Sequence, residues 1–117
     1  MPATLAPDGD PLDGFVLHEA ATWPGTVIPC RPLGVLEVER TEGGKKRRND
    51  RLAFRPAADP RGEGALLSER AKRELEQFFT SAVFGTGKDL HFLGWKDAGE
   101  ALALVRKAAS AFSDKAR

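Results

Sequence analysis

Apolar positions along this chain first follow a strand-like spacing and then a helix-like one. Phe15 to His18 reads as a short strand, and Trp23-Pro24-Gly25-Thr26 is a turn signal leading into the β-rich pair Val27-Ile28. From Leu33 to Val38 the run carries Val35, Leu36 and Val38 and predicts a second, longer strand. Thr41-Glu42-Gly43-Gly44 looks like a hairpin tip, with Arg51 to Arg55 as the return strand. Residues 56–64, rich in Pro and Gly, break the β pattern. Beyond them Leu67, Ala71, Leu75, Phe78, Phe79 and Ala82 fall on one helical face, with Ser68 as N-cap and Gly85 and Gly87 ending the helix. Leu90 to Trp95 predicts a further strand. Asp97 is placed to cap a last helix whose apolar face is Ala98, Ala101, Leu102, Val105, Ala109 and Phe112. Strands first and helices mostly later is an α+β order, without the alternation of β and α units that builds parallel sheets.

Composition bounds what this pattern can become. At 117 residues, with 41% hydrophobic and 30% charged side chains, the chain can bury roughly 65% of its unfolded surface, which supports one core without disulfides. Residues 1–117 are therefore expected to form a single domain. Apolar residues are dispersed, so no stretch reaches the ~18 needed to cross a bilayer, and the start MPATLAPDGD has neither a basic nor an apolar leader region. Together with one cysteine, Cys30, this reads as a cytoplasmic protein. A formal net charge of +1 gives no global pull toward nucleic acid or membrane.

The candidate chemistry lies in Asp8-Gly9-Asp10-Pro11-Leu12-Asp13, three carboxylates on a Pro/Gly-stiffened loop just before a strand. Two such charges held ~5 Å apart repel by roughly 3 kcal/mol at an effective dielectric near 20. They can splay into water, one can take up a proton, or a hard cation can sit between them. Mg²⁺ suits the last option, because it needs few carboxylates and leaves coordination positions for phosphate oxygens. A carboxylate beside such a cation can act as base toward an activated water. An EF-hand starting at Asp8 fails in its middle, where Leu12 and Asp13 stand at the fifth and sixth positions. On spacing alone, a metal loop and a plain solvated turn both remain open.

The hexapeptide DGDPLD, the run PGTVIPCRPLGVL (Pro24 to Leu36) and the later Phe78, Phe79, Gly87, Lys88, Gly94 and Trp95 resemble, in order, the soluble inorganic pyrophosphatases of the first family. The resemblance implies a partial OB-like β-barrel of antiparallel strands with two packed helices outside it. It further implies hydrolysis of diphosphate to two phosphates with Mg²⁺, a small-molecule substrate with no nucleic-acid or membrane partner, and a homo-oligomer. Residue by residue, Asp8 and Asp13 are expected as metal ligands, and Asp10 as the group that orients or deprotonates the attacking water.

The chain also departs from the family pattern. Family members carry a further N-terminal portion before the acidic loop. After GVL they place two aspartates and a lysine as D-E-x-G-x-D-x-K. Here Arg40 stands at the first aspartate in ungapped register, Asn49 or Asp50 falls near the second, and Arg51 matches the lysine. Asp50 is taken as the metal ligand and Arg51 as the phosphate-binding residue. The family's Tyr-Lys pair after the Phe-Phe helix is Ala82-Val83, and the chain has no tyrosine. Lys45, Lys46, Arg47 and Arg48 could supply replacement cations, or form a solvated hairpin end that blocks edge pairing. The alternative to an enzyme is a non-catalytic relative that binds metal and a phosphorylated ligand or partner. His18, His91, Cys30, Trp23 and Trp95 are read as structural.

Overall fold

The computed structural model describes residues 1, 3–6, 12–17, 27–58 and 67–115. Five strands and two helices are present among them: β1 (Asp13–Val16), β2 (Cys30–Glu42), β3 (Lys45–Arg48), β4 (Arg51–Pro56), α1 (Glu69–Val83), β5 (Lys88–Lys96) and α2 (Ala98–Lys115). The sheet is open and runs β1-β4-β2-β3, with β5 paired to the other edge of β2. β2 is long enough to serve three partners: its first part pairs with β4, its last four residues with β3, and Val35 to Glu42 with β5.

The α+β architecture with two helices is as expected. One pairing differs from an all-antiparallel sheet: β1 runs parallel to β4, in the register Asp13↔Arg51 to Val16↔Phe54. A parallel pair needs a long crossover, and 34 residues separate these two strands, including the whole β2–β3 hairpin. The hairpin itself is longer than the sequence pattern suggested. Glu42 and Lys45 are the closing pair, Gly43 and Gly44 form the tip with φ of 59° and 79°, and the basic run is strand β3. Two consecutive positive φ angles are the geometry of the two-residue turn whose twist matches the flanking strands, and glycine takes them without strain.

The sheet is covered on both faces. On one, Val35, Leu52, Phe54 and Leu12 pack with Ala101 and Ala108 of α2. On the other, Leu36 and Val38 pack with Phe79 of α1, and Leu33 and Ala53 with Leu67 just before it. Leu36, Leu52 and Val38 are fully buried, each stabilising by about 1.5–3 kcal/mol, so the core lies on β2 and β4. Ser68 caps α1 as predicted, its Oγ accepting from the Ala71 N–H at 3.0 Å. Asp97 does the same for α2, accepting from Glu100 N–H at 2.9 Å. Each helix keeps part of its predicted face, with Ala71, Leu75 and Phe79 of α1 and Ala101 and Val105 of α2 packed on the sheet, and turns other predicted positions outward. Phe78 is 65% exposed while Phe79 is buried. Leu102 and Phe112 face outward, and Ala101, Leu104, Val105 and Ala108 make the contact. Small alanines against the sheet let α2 approach closely, so packing chose the face that hydrophobicity alone did not. Val27 is 90% exposed and outside any strand. The predicted turn at Trp23 to Thr26 lies outside the described residues.

Candidate functional site

Strand alternation and the parallel pairing decide which chemistry-bearing residues meet. Arg51 is opposite Leu36 on β2 and opposite Asp13 on β1, so both lie on the α1 side of the sheet. Asn49, two positions before β4, joins them. With its amide oriented so that donors meet acceptors, its nitrogen donates to Asp13 Oδ2 at 3.0 Å and its oxygen accepts from Arg51 Nη2 at 3.2 Å. The Arg51 guanidinium lies 4.7 Å from the centroid of the Phe79 ring, and Phe79 meets Phe15 edge to face at 5.5 Å. These contacts hold the guanidinium plane against an aromatic wall. Its Nε is buried, with no hydrogen-bond acceptor among the described residues.

The approach to Asp13 is also fixed. Thr4 is buried, and its Oγ1 accepts from the Leu12 N–H at 3.0 Å, so the segments on either side of the acidic loop are tied together. Leu5 N–H donates to Ala108 O at 3.0 Å and attaches this segment to α2. Asp8 and Asp10 lie outside the described residues.

Asp50 is placed differently. Its Oδ1 accepts from the Val38 N–H at 3.0 Å and from Arg48 Nε at 3.1 Å, and its Oδ2 from Arg48 Nη2 at 2.9 Å. Arg48 also donates to Glu37 Oε2 at 2.7 Å. Arg48 pairs with Glu39 and not with Arg40, so this network belongs to the α2 side of the sheet. Although burial opposes its charge, the hydrogen bonds and charges of Glu37 and Asp50 raise the Arg48 pKa further above its already high ordinary range. The structure therefore brings Asp13 and Arg51 together, and turns Asp50 away from them toward a guanidinium.

Among the described residues, no group of three or more His, Cys, Asp and Glu is placed to hold a metal ion. Asp13, exposed and ending the acidic hexapeptide, fits as one hard oxygen ligand of an aquated divalent ion. Asp50 does not fit, because a cation there would face Arg48 at hydrogen-bond distance. In the residue pattern Asn49 is only a neighbour of the second aspartate position, and neither its bridging role nor the support of Arg51 by Phe79 is visible there. Asn49 sits two residues before Arg51, but only the parallel β1–β4 pairing brings Asp13 to both. Cys30 is half-buried, and desolvation pushes its thiol pKa up, which suits packing and not nucleophilic use.

The fold and this face define an α+β protein whose sheet presents a fixed guanidinium beside the exposed carboxylate of Asp13, a combination suited to a metal-bound oxyanion. The inorganic pyrophosphatase family model matches residues 1–113, and the chain belongs to that family. It is 40% identical over 111 residues to an inorganic pyrophosphatase of Synechocystis, covering 92% of this chain and 63% of that protein. It is 38% identical over 116 residues to one of Nostoc, covering 96% and 66%. The crystal structure of inorganic pyrophosphatase from Thermus thermophilus superposes with a TM-score of 0.78 at 32% identity, over 96% of this chain and 66% of that one. The chain thus spans a little under two thirds of the length of these curated relatives.

Proposed function

We propose that this protein hydrolyses inorganic pyrophosphate to two phosphates with Mg²⁺. The observation that carries the reading is the pairing of Asp13, last residue of the acidic hexapeptide, with Arg51 across β1 and β4. Membership of the pyrophosphatase family and relatives of that name support it. Asp8 and Asp13 would hold the cation, which when bound spreads the substrate's negative charge and lowers the pKa of the attacking water. Asp10 accepts the proton as the water oxygen bonds to one phosphorus and the bond from that phosphorus to the bridging oxygen breaks. The bridging oxygen leaves with the second phosphate. Arg51, held by Asn49 and Phe79, donates to a phosphoryl oxygen, a charge-assisted contact of about 1.5–3 kcal/mol. The proposal includes a cytoplasmic location, a small-molecule substrate with no nucleic-acid or membrane partner, and homo-oligomers. Strands β1 and β3 at the ends of the open sheet support self-association.

One observation favours the second reading, a non-catalytic protein that binds metal and a phosphorylated ligand. Asn49 presents a neutral amide to Asp13, and Asp50 is engaged by Arg48. Phosphate release from pyrophosphate, with and without Mg²⁺, separates the two. Mg²⁺-dependent turnover that drops at least a hundredfold in Asp10→Asn supports hydrolysis. Turnover no greater than that of Asp10→Asn overturns it in favour of binding alone.

A further inference from the structure

The β2–β3 hairpin sorts its charges by face. Glu39, Thr41, Lys46 and Arg48 share one side, where Lys46 Nζ lies 3.9 Å from Glu39 Oε1 and Arg48 bonds Glu37 and Asp50. The other side carries Arg40 opposite Arg47 and Glu42 opposite Lys45. These four residues line a cavity of about 300 Å³. Alternation along β2 continues Leu36 and Val38 into Arg40 and Glu42, so this is the α1 side of the sheet, the side of Arg51 and Asp13.

Two cationic residues directly opposite each other in an antiparallel pair repel, and such pairs destabilise a sheet. Lys46 and Arg48 on the far side have carboxylate neighbours. No carboxylate among the described residues lies within ion-pair distance of Arg40, Lys45 or Arg47. Glu42, the carboxylate in the cavity, sits between Lys45 on β3 and Lys88 on β5 in the two ladders. The cavity therefore has a surplus of positive charge focused on the Arg40–Arg47 pair. Its volume is at the small end of ligand sites and adequate for one or two phosphoryl groups.

We propose that this face of the hairpin binds a small, multiply charged oxyanion of the phosphate or diphosphate class, gripped by the guanidinium groups of Arg40 and Arg47 with Lys45 beside them. Guanidinium forks match phosphoryl oxygens in pairs, and the bound anion relieves the repulsion between the two arginines. Fixed side-chain cations thereby take on charge that a divalent ion would otherwise neutralise. The inference rests on the hydrolysis reading for its choice of ligand, and not for the existence of the site.

Isothermal titration calorimetry with sodium pyrophosphate in EDTA tests it, because no metal-dependent turnover occurs under that condition. Arg40→Gln, at a half-buried position, and Arg47→Gln, at an exposed one, are expected to weaken binding at least tenfold each. Lys46→Gln, on the opposite side, is expected to leave it within twofold. Equal losses in all three variants, or no loss in the arginine variants, would overturn the site. So would a single-stranded oligonucleotide that depends on Arg40 and Arg47 and is not displaced by excess pyrophosphate. Binding that depends on these arginines in a protein without Mg²⁺-dependent turnover supports the site and sinks hydrolysis. Turnover together with arginine-independent binding does the reverse.

Discussion

Asp13 and Arg51 are register partners across the parallel β1–β4 pair, and the Asn49 amide bridges their side chains. A carboxylate and a guanidinium on neighbouring strands would ordinarily close into an ion pair. Here a neutral amide lies between them, satisfied on both sides. Asp13 keeps an exposed carboxylate, and Arg51 is oriented by an acceptor on one flank and an aromatic ring on the other.

Replacing that bridge with a charge tests how Asp13 is balanced. Asn49→Asp would put a second carboxylate oxygen about as close to Asp13 as the present hydrogen bond of 3.0 Å. Like charges at that separation raise the pKa of one carboxyl group, and a raised folded-state pKa favours folding as pH falls. In EDTA the variant should melt several degrees below wild type at neutral pH, with the difference shrinking on acidification into the carboxylate range. Mn²⁺ should restore the melting temperature at neutral pH. Melting curves unaffected by both pH and Mn²⁺ would show that the two side chains do not meet.

A tighter prediction concerns Gly14. A Cβ there would lie 2.7 Å from Cε2 and 3.2 Å from Cδ2 of Phe54, and 3.3 Å from the Leu52 carbonyl oxygen. Phe54 is buried among Leu12, Val35 and Leu52, so its ring has little room to move. Gly14→Ala should cost about 1–3 kcal/mol by overpacking, offset by about 0.5–1 kcal/mol from the lower chain entropy of alanine. A net loss in urea denaturation is expected. Pairing it with Phe54→Leu should recover part of that loss, since the shorter side chain opens the contact.

Cys30 offers a pH-dependent readout. Burial raises its pKa, so the thiolate is scarce at neutral pH and alkylation by iodoacetamide should be slower than for the unfolded chain. Because the folded pKa lies above the unfolded one, the associated stability is present below the ordinary thiol pKa of about 8.5 and declines as pH rises through it. Labelling followed by mass spectrometry across that range should show the folded rate catching up only on the alkaline side. Equal rates in native and denatured protein at neutral pH would contradict the burial of this thiol.

Much of the local structure was legible because it depends on short-range chemistry. Ser68 and Asp97 cap their helices where the sequence pattern placed them, since a side-chain oxygen three residues before an unpaired N–H suffices. Gly43-Gly44 mark the hairpin tip because only that pair tolerates the turn. Helix faces were legible only to within a residue: Phe78 and Phe79 are equally apolar, and the position of Phe15 and Arg51 beneath α1 decides which of them is buried.

By itself the sequence determined the α+β order, the capped helices, the acidic hexapeptide and the family to which the chain belongs. The tertiary structure alone decided which charges share a face. Period-2 alternation makes any one-residue change of register invert a side chain's environment, and register across β1–β4 and β2–β3 is set by pairings between residues distant in sequence. That is why Arg51 and Asp13 meet while Asp50, one residue from Arg51, is turned to Arg48. It is also why a basic run of four splits into Lys45 and Arg47 facing a cavity and Lys46 and Arg48 facing carboxylates.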